Sequence, residues 1–154
     1  MRIATELLIC ALLAPATATA QGVPPPEASA LSAALRHVRA DLPQDGVIAL
    51  QVDTVLAPSL ASSVAAHLQA QLLQEDAIYD CRTKAPRCTM RVAGAFIIGR
   101  ILVSDPERVH VEVWTSVSYV SHGGRVYFRH YSIDVRREGN SDWRVHESRL
   151  LSVS

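Results

Sequence analysis

The chain predicts an α+β fold: two N-terminal helices packed on a curved, mostly antiparallel sheet that ends in a four-stranded meander. Three observations carry this. Apolar residues recur at three- and four-residue steps in two stretches before Cys81. Nearly everything after Thr89 alternates apolar and polar residues at period two. Clusters of Gly, Pro, Asn, Asp and Ser separate the alternating runs, where turns belong. With 154 residues, 15 basic and 15 acidic side chains and 49% hydrophobic residues, the sequence suits one neutral domain, the usual scale being about 150 residues. Neutrality removes the basic footprint expected of a nucleic-acid binder. The apolar content is too high for a disordered chain.

The first element in order is an export signal. Arg2, an apolar stretch from Leu7 to Ala14 and the small-x-small ending Ala18-Thr19-Ala20 form the pattern of a secretory leader over residues 1–20. The apolar stretch is shorter than the roughly twenty residues of a membrane span. Cys10 is not a lipidation site, because the bulky Ile9 precedes it and it lies within the apolar core of the leader. Cleavage before Gln21 removes one basic and one acidic residue, Arg2 and Glu6, so neutrality survives, and it leaves two cysteines, Cys81 and Cys88. An even count in an oxidising compartment, periplasmic or extracellular, predicts a structural disulfide. No His or further Cys stands nearby at ligand spacing to suggest a metal instead.

Residues 21–26 read as a linker, since three consecutive prolines favour extended backbone; the single domain runs over 27–154. From Glu27, Leu31, Leu35 and Val38 mark the first helix, closed by the turn formers Pro43–Gly46. Val47–Val52 is a short strand. Pro58 opens a second helix whose stripe is Leu60, Val64, Leu68 and Leu72, with His67 at its border.

Alternation then sets the registers of the meander, because a one-residue slip exchanges the faces. A three-residue turn, His122–Gly124, sets Val111 opposite Val135 and Val113 opposite Ile133. Pairing Val103 with Val109 on one side, and Val135 with Trp143 and Ile133 with Val145 on the other, completes four strands. One polar row then reads Arg100, Glu112, Asp134, Arg144, and Arg136 faces Asp142; opposite charges across strands stabilise such a register.

The sequence offers two candidate sites. His110, His130 and His146 fall on three successive strands and are the only candidate metal ligands. Their rows differ, which favours a solvated polar face over a metal centre, and no cofactor is expected. On the opposite face, Tyr119, Tyr127, Arg129, Tyr131, Glu147 and Arg149 follow an apolar first half, with Tyr131 beside Glu147 and Arg129 beside Arg149. Arginines and phenols on an apolar concave face suit a small anionic ligand. A bulge would instead rotate these residues outward as ordinary surface. No nucleophile elbow, phosphate loop or zinc-protease helix is present, so an isomerase- or hydrolase-type activity would rest on Glu147 as acid or base beside Tyr131.

The order helix, strand, helix, meander resembles the cystatin-like α+β roll that includes the NTF2-like families. Asp142-Trp143-Arg144-Val145 followed by Leu150-Leu151 looks like the closing strand of many such domains. The strand between the helices and the Cys81–Cys88 loop depart from that pattern. The resemblance implies a pocket between helix and sheet, but that roll hosts enzymes, binders and scaffolds alike. The expected function is non-enzymatic binding of a small, anionic ligand or of a partner protein by an exported domain.

Overall fold

The computed structural model describes residues 26–52, 55–81, 88–119 and 124–154. The leader at 1–20, the linker before Pro26, and Ser121, His122 and Gly123 of the expected turn lie outside the described residues.

Helix α1 (Pro26–Val38) starts on a proline, whose missing N–H costs nothing in a first turn. It buries Leu31, Leu35 and Val38. A single 3-10 turn, Arg39–Asp41, closes it. Strand β1 (Ile48–Gln51) follows, then α2 (Pro58–Leu68). The periodic stripe of α2 runs on to Leu72, yet the helix stops earlier. Gln69 takes a left-handed conformation (φ 53°) and the Ala70 amide donates to the Ala65 carbonyl at 2.9 Å, capping the last turn. Leu72 instead belongs to β2 (Gln71–Leu73), which pairs with β1 in parallel. A leucine at that spacing serves either element, and the backbone reversal at Gln69 decides.

The meander consists of β5 (Gly94–Asp105), β6 (Arg108–Tyr119), β7 (Arg125–Arg136) and β8 (Arg144–Val153). It joins β1 and β2 in one six-stranded sheet of order β2-β1-β5-β6-β7-β8, mostly antiparallel. The two parallel pairings, β1 with β2 and β1 with β5, extend it beyond the expected meander. On its inner face Val109, Val111, Val113, Ile133 and Val135 pack with Leu31, Leu35 and Val64 of the helices into the main core.

The outer face is not wholly solvated, as alternation alone implied. A short helix α3 (Glu75–Ile78) and a two-residue hairpin, β3 (Tyr79–Asp80) with β4 (Thr89–Met90), pack Ile78 and Tyr79 against Ala49 and Ala95, with Val126 and Phe128 alongside. The Tyr79 hydroxyl lies 2.7 Å from that of Ser116, which is fully buried. Burial pushes the Tyr79 phenol up, more than its Ser116 hydrogen bond pulls it down. The Cys81–Cys88 disulfide, Cα atoms 4.2 Å apart, ties the strands of this hairpin together.

The registers correct the sequence reading in a systematic way. Val103 does face Val109, and Arg100 faces Glu112. Between β6 and β7 the pairs are Val109 with Val135 and Val111 with Ile133, two residues from the expectation. An even shift preserves the faces, so the inner core is as expected although the loop, from Tyr119 to Arg125, is longer. In β8 the error is odd. Val145 faces Val135, but Glu147 faces Asp134, because His146 is an extra residue in a bulge. A second bulge at Leu151 follows Leu150, which faces Tyr131, and sets Ser152 against His130.

Candidate functional site

The six residues expected to form one half-face are divided between the two sides of the sheet. Arg129 and Tyr131 point inward, toward the helices. The bulge at His146 places Glu147 and Arg149 on the outer face, opposite Asp134 and Ser132. Tyr131 therefore stands beside Leu150, not Glu147, and Arg129 beside Val153, not Arg149. Glu147 and Tyr131 occupy opposite faces, so they cannot act on one substrate atom. Tyr119 and Tyr127, with ring centroids 5.7 Å apart, lie near the open end of the inner face.

The partner of Arg129 and Tyr131 is Asp41, in the turn that ends α1. Arg129 Nη1 donates to Asp41 Oδ1 at 2.7 Å, and the Tyr131 hydroxyl donates to Asp41 Oδ2. Burial, reinforced by the hydrogen bond and charge of Asp41 and opposed by Arg129, pushes the Tyr131 phenol up to about 12. Burial works against the Arg129 charge, but Asp41 and Tyr131 together outweigh it and raise the guanidinium pKa. Each carboxylate oxygen thus serves one donor, and the charge of Arg129 is balanced by Asp41. The 88- and 90-residue separations of these contacts explain why periodicity and spacing gave no sign of Asp41.

The outer face at the far end of the meander is built differently. Arg108, Arg136 and Arg144 stand directly opposite one another across β6, β7 and β8. Like charges so placed repel. Asp134, 6% exposed, lies between two of them: Arg108 Nε donates to Oδ1 at 3.0 Å and Arg136 Nη2 lies 2.9 Å from Oδ2. Burial pushes the Asp134 carboxyl up, but the bonds from Arg108 and Arg136 outweigh it and hold it below its ordinary value. The Arg144 side chain is exposed and makes no hydrogen bond or ion pair with any described residue.

These arginines open onto a groove of about 690 Å³ between the turn at Pro106 and the segment before β8. Carboxylates also line it, namely Asp105, Glu107, Glu138 and Asp142. Two of the four are held by backbone: Asp105 Oδ1 accepts from the Glu107 amide at 2.8 Å, and Glu107 Oε1 from the Gly139 amide at 3.0 Å. Arg137 donates to the Pro106 carbonyl at 3.3 Å and lies 5.1 Å from the Trp143 ring centre. The register shift breaks the expected row of alternating charges: Arg100 still faces Glu112, but Glu112 faces Ser132, Asp134 faces Glu147, and Arg136 faces Arg144 rather than Asp142.

The three histidines are dispersed. His110 faces Asp134, with the Ser132 hydroxyl 3.4 Å from its Nε2. His130 stacks on Trp114, ring centroids 3.9 Å apart, and lies 3.8 Å from Glu112. His146 occupies the bulge. Among the described residues no group of three His, Cys, Asp or Glu side chains is placed to hold a metal ion. No protein family, curated protein or solved structure matches the chain.

Proposed function

We propose that this chain is an exported, disulfide-bonded, non-enzymatic domain that binds an anionic group through the outer face of its meander. The observation that carries the reading is the row Arg108–Arg136–Arg144, three guanidinium groups with one carboxylate bonded between the first two and none to the third. Arginine presents a rigid donor fork that matches carboxylate and phosphate oxygens in pairs. An anion in the groove pairs with Arg144, the one guanidinium of the row with no described carboxylate bonded to it. This location replaces the inner half-face, where Asp41 already neutralises Arg129 through Nη1 and accepts from the Tyr131 hydroxyl.

Export is supported by the leader pattern at 1–20 and by the Cys81–Cys88 disulfide. No described helix is long and apolar enough to cross a membrane. The expected N-terminus after cleavage is Gln21. N-terminal sequencing of protein recovered outside the cytoplasm tests this, and retention of residues 1–20 there refutes it.

For binding, calorimetric titration of the mature protein with citrate and pyrophosphate at low salt is expected to give saturable heat. Arg144→Ala should weaken the affinity at least several-fold without changing the melting temperature, because its side chain bonds nothing described. Failure of both anions to bind, or binding indifferent to Arg144→Ala, refutes the site.

A further inference from the structure

Strand β8 carries a second observation, independent of the anion reading. It is the last strand of the six-stranded sheet and ten residues long, and no described strand of the chain covers its far edge. Leu150, Leu151 and Val153 on it are 53%, 51% and 59% exposed. A long open edge bearing apolar side chains is a template for another strand. What marks that strand is the charge pattern. Glu147 and Arg149 sit two residues apart on one face, half and more exposed, with Arg149 Nε 2.6 Å from Glu147 Oε1.

Opposite charges at positions i and i+2 are self-complementary under a two-fold axis through the residue between them. An antiparallel pairing of two β8 strands about Ser148 sets each Glu147 against Arg149 of the second copy, twice over. The same axis sets Ser148 against its own equivalent. Moving the axis one residue either way opposes Glu147 to Glu147 or Arg149 to Arg149, and like charges directly opposite destabilise. Half-residue steps would oppose outer-face to inner-face side chains, which the pleat forbids. The bulges at His146 and Leu151 leave the intervening run regular, and the axis falls within it.

We propose that the occupant of this edge is a second copy of the chain, in a two-fold dimer formed by antiparallel β8 pairing centred on Ser148. The interface is isologous, and it joins two six-stranded sheets into one continuous sheet. A ladder limited by bulges gives a concentration-dependent equilibrium rather than an obligate dimer.

Sedimentation velocity on the mature protein, at rising concentration into the millimolar range, tests this. The wild type is expected to shift from monomer to dimer. Glu147→Arg and Arg149→Glu should each weaken dimerisation about tenfold, since each reversal creates two repulsive pairs. The double variant, with both charges exchanged, should restore it. Unchanged near-ultraviolet circular dichroism confirms that each variant is folded. A wild type that stays monomeric throughout overturns the proposal, as do single reversals without effect or a double variant that fails to recover.

Discussion

The two arginine clusters of this domain use the same residue types to opposite ends. On the inner face, Arg129 and Tyr131 meet one carboxylate, Asp41, whose two oxygens take one donor each. On the outer face, Asp134 also takes an arginine on each oxygen, but a third arginine stands in the same row. The first cluster is closed by a residue brought from another element; the second leaves the exposed Arg144 with no described carboxylate bonded to it. The proposed anion binding rests on that one unbonded guanidinium, not on the presence of arginine.

The largest effect should come from opening the closed cluster. Asp41→Ala leaves a guanidinium and a buried phenol without their carboxylate, with an expected loss of about 2–4 kcal/mol by urea unfolding. Titration sharpens the point. The Tyr131 phenol is held near 12, above its unfolded value of about 10, so its stabilising contribution is complete below pH 10 and fades as pH rises toward 12. Ultraviolet titration should show Tyr131 ionising at lower pH in Asp41→Asn, which removes the negative charge but leaves the burial.

Next in size is reduction of Cys81–Cys88, worth about 2–3 kcal/mol for so short a closed loop. Because the hairpin packs on the outer face, reduction should lower the melting temperature while leaving the Tyr131 titration unchanged. Asp134→Asn is expected to cost about 1–2 kcal/mol, its arginine partners being half exposed to water. In the wild type the Asp134 contribution is present above the ordinary carboxylate range and is lost as pH falls through its depressed value, below about 4. The same substitution should tighten citrate binding in the calorimeter, because it leaves the arginine row without its carboxylate. Smallest of all, Arg149→Ala should change stability by less than about 0.5 kcal/mol, as an exposed pair contributes little.

Much of the fold was legible because side-chain periodicity reports faces directly. The mixed α+β class, the meander, the inner core residues Val111, Val113, Ile133 and Val135, and the disulfide all follow from residues close together in sequence. Even register errors between β6 and β7 did no harm, since the face repeats every two residues. The candidate site was poorly legible for two physical reasons. A bulge adds one residue without any compositional mark, so Glu147 to Leu150, between the bulges at His146 and Leu151, were assigned to the wrong face. Asp41 sits in a single turn after α1, and no local pattern announces a partner two strands of the meander away. The hairpin that covers Ser116 was hidden for a similar reason: its strands are two residues long, too short to alternate.

The bulges also bear on how the length of this chain can change. At Gly99, His146 and Leu151 one residue more is present than the neighbouring strand requires. Removing a residue inside a regular ladder, such as Val111, would turn every later side chain of that strand over. Removing His146 only straightens the backbone, with Val145 still against Val135 and Glu147 still against Asp134. The edge strand therefore holds its own spare residues, and single-residue deletions should be accepted there while they are rejected a strand or two further in.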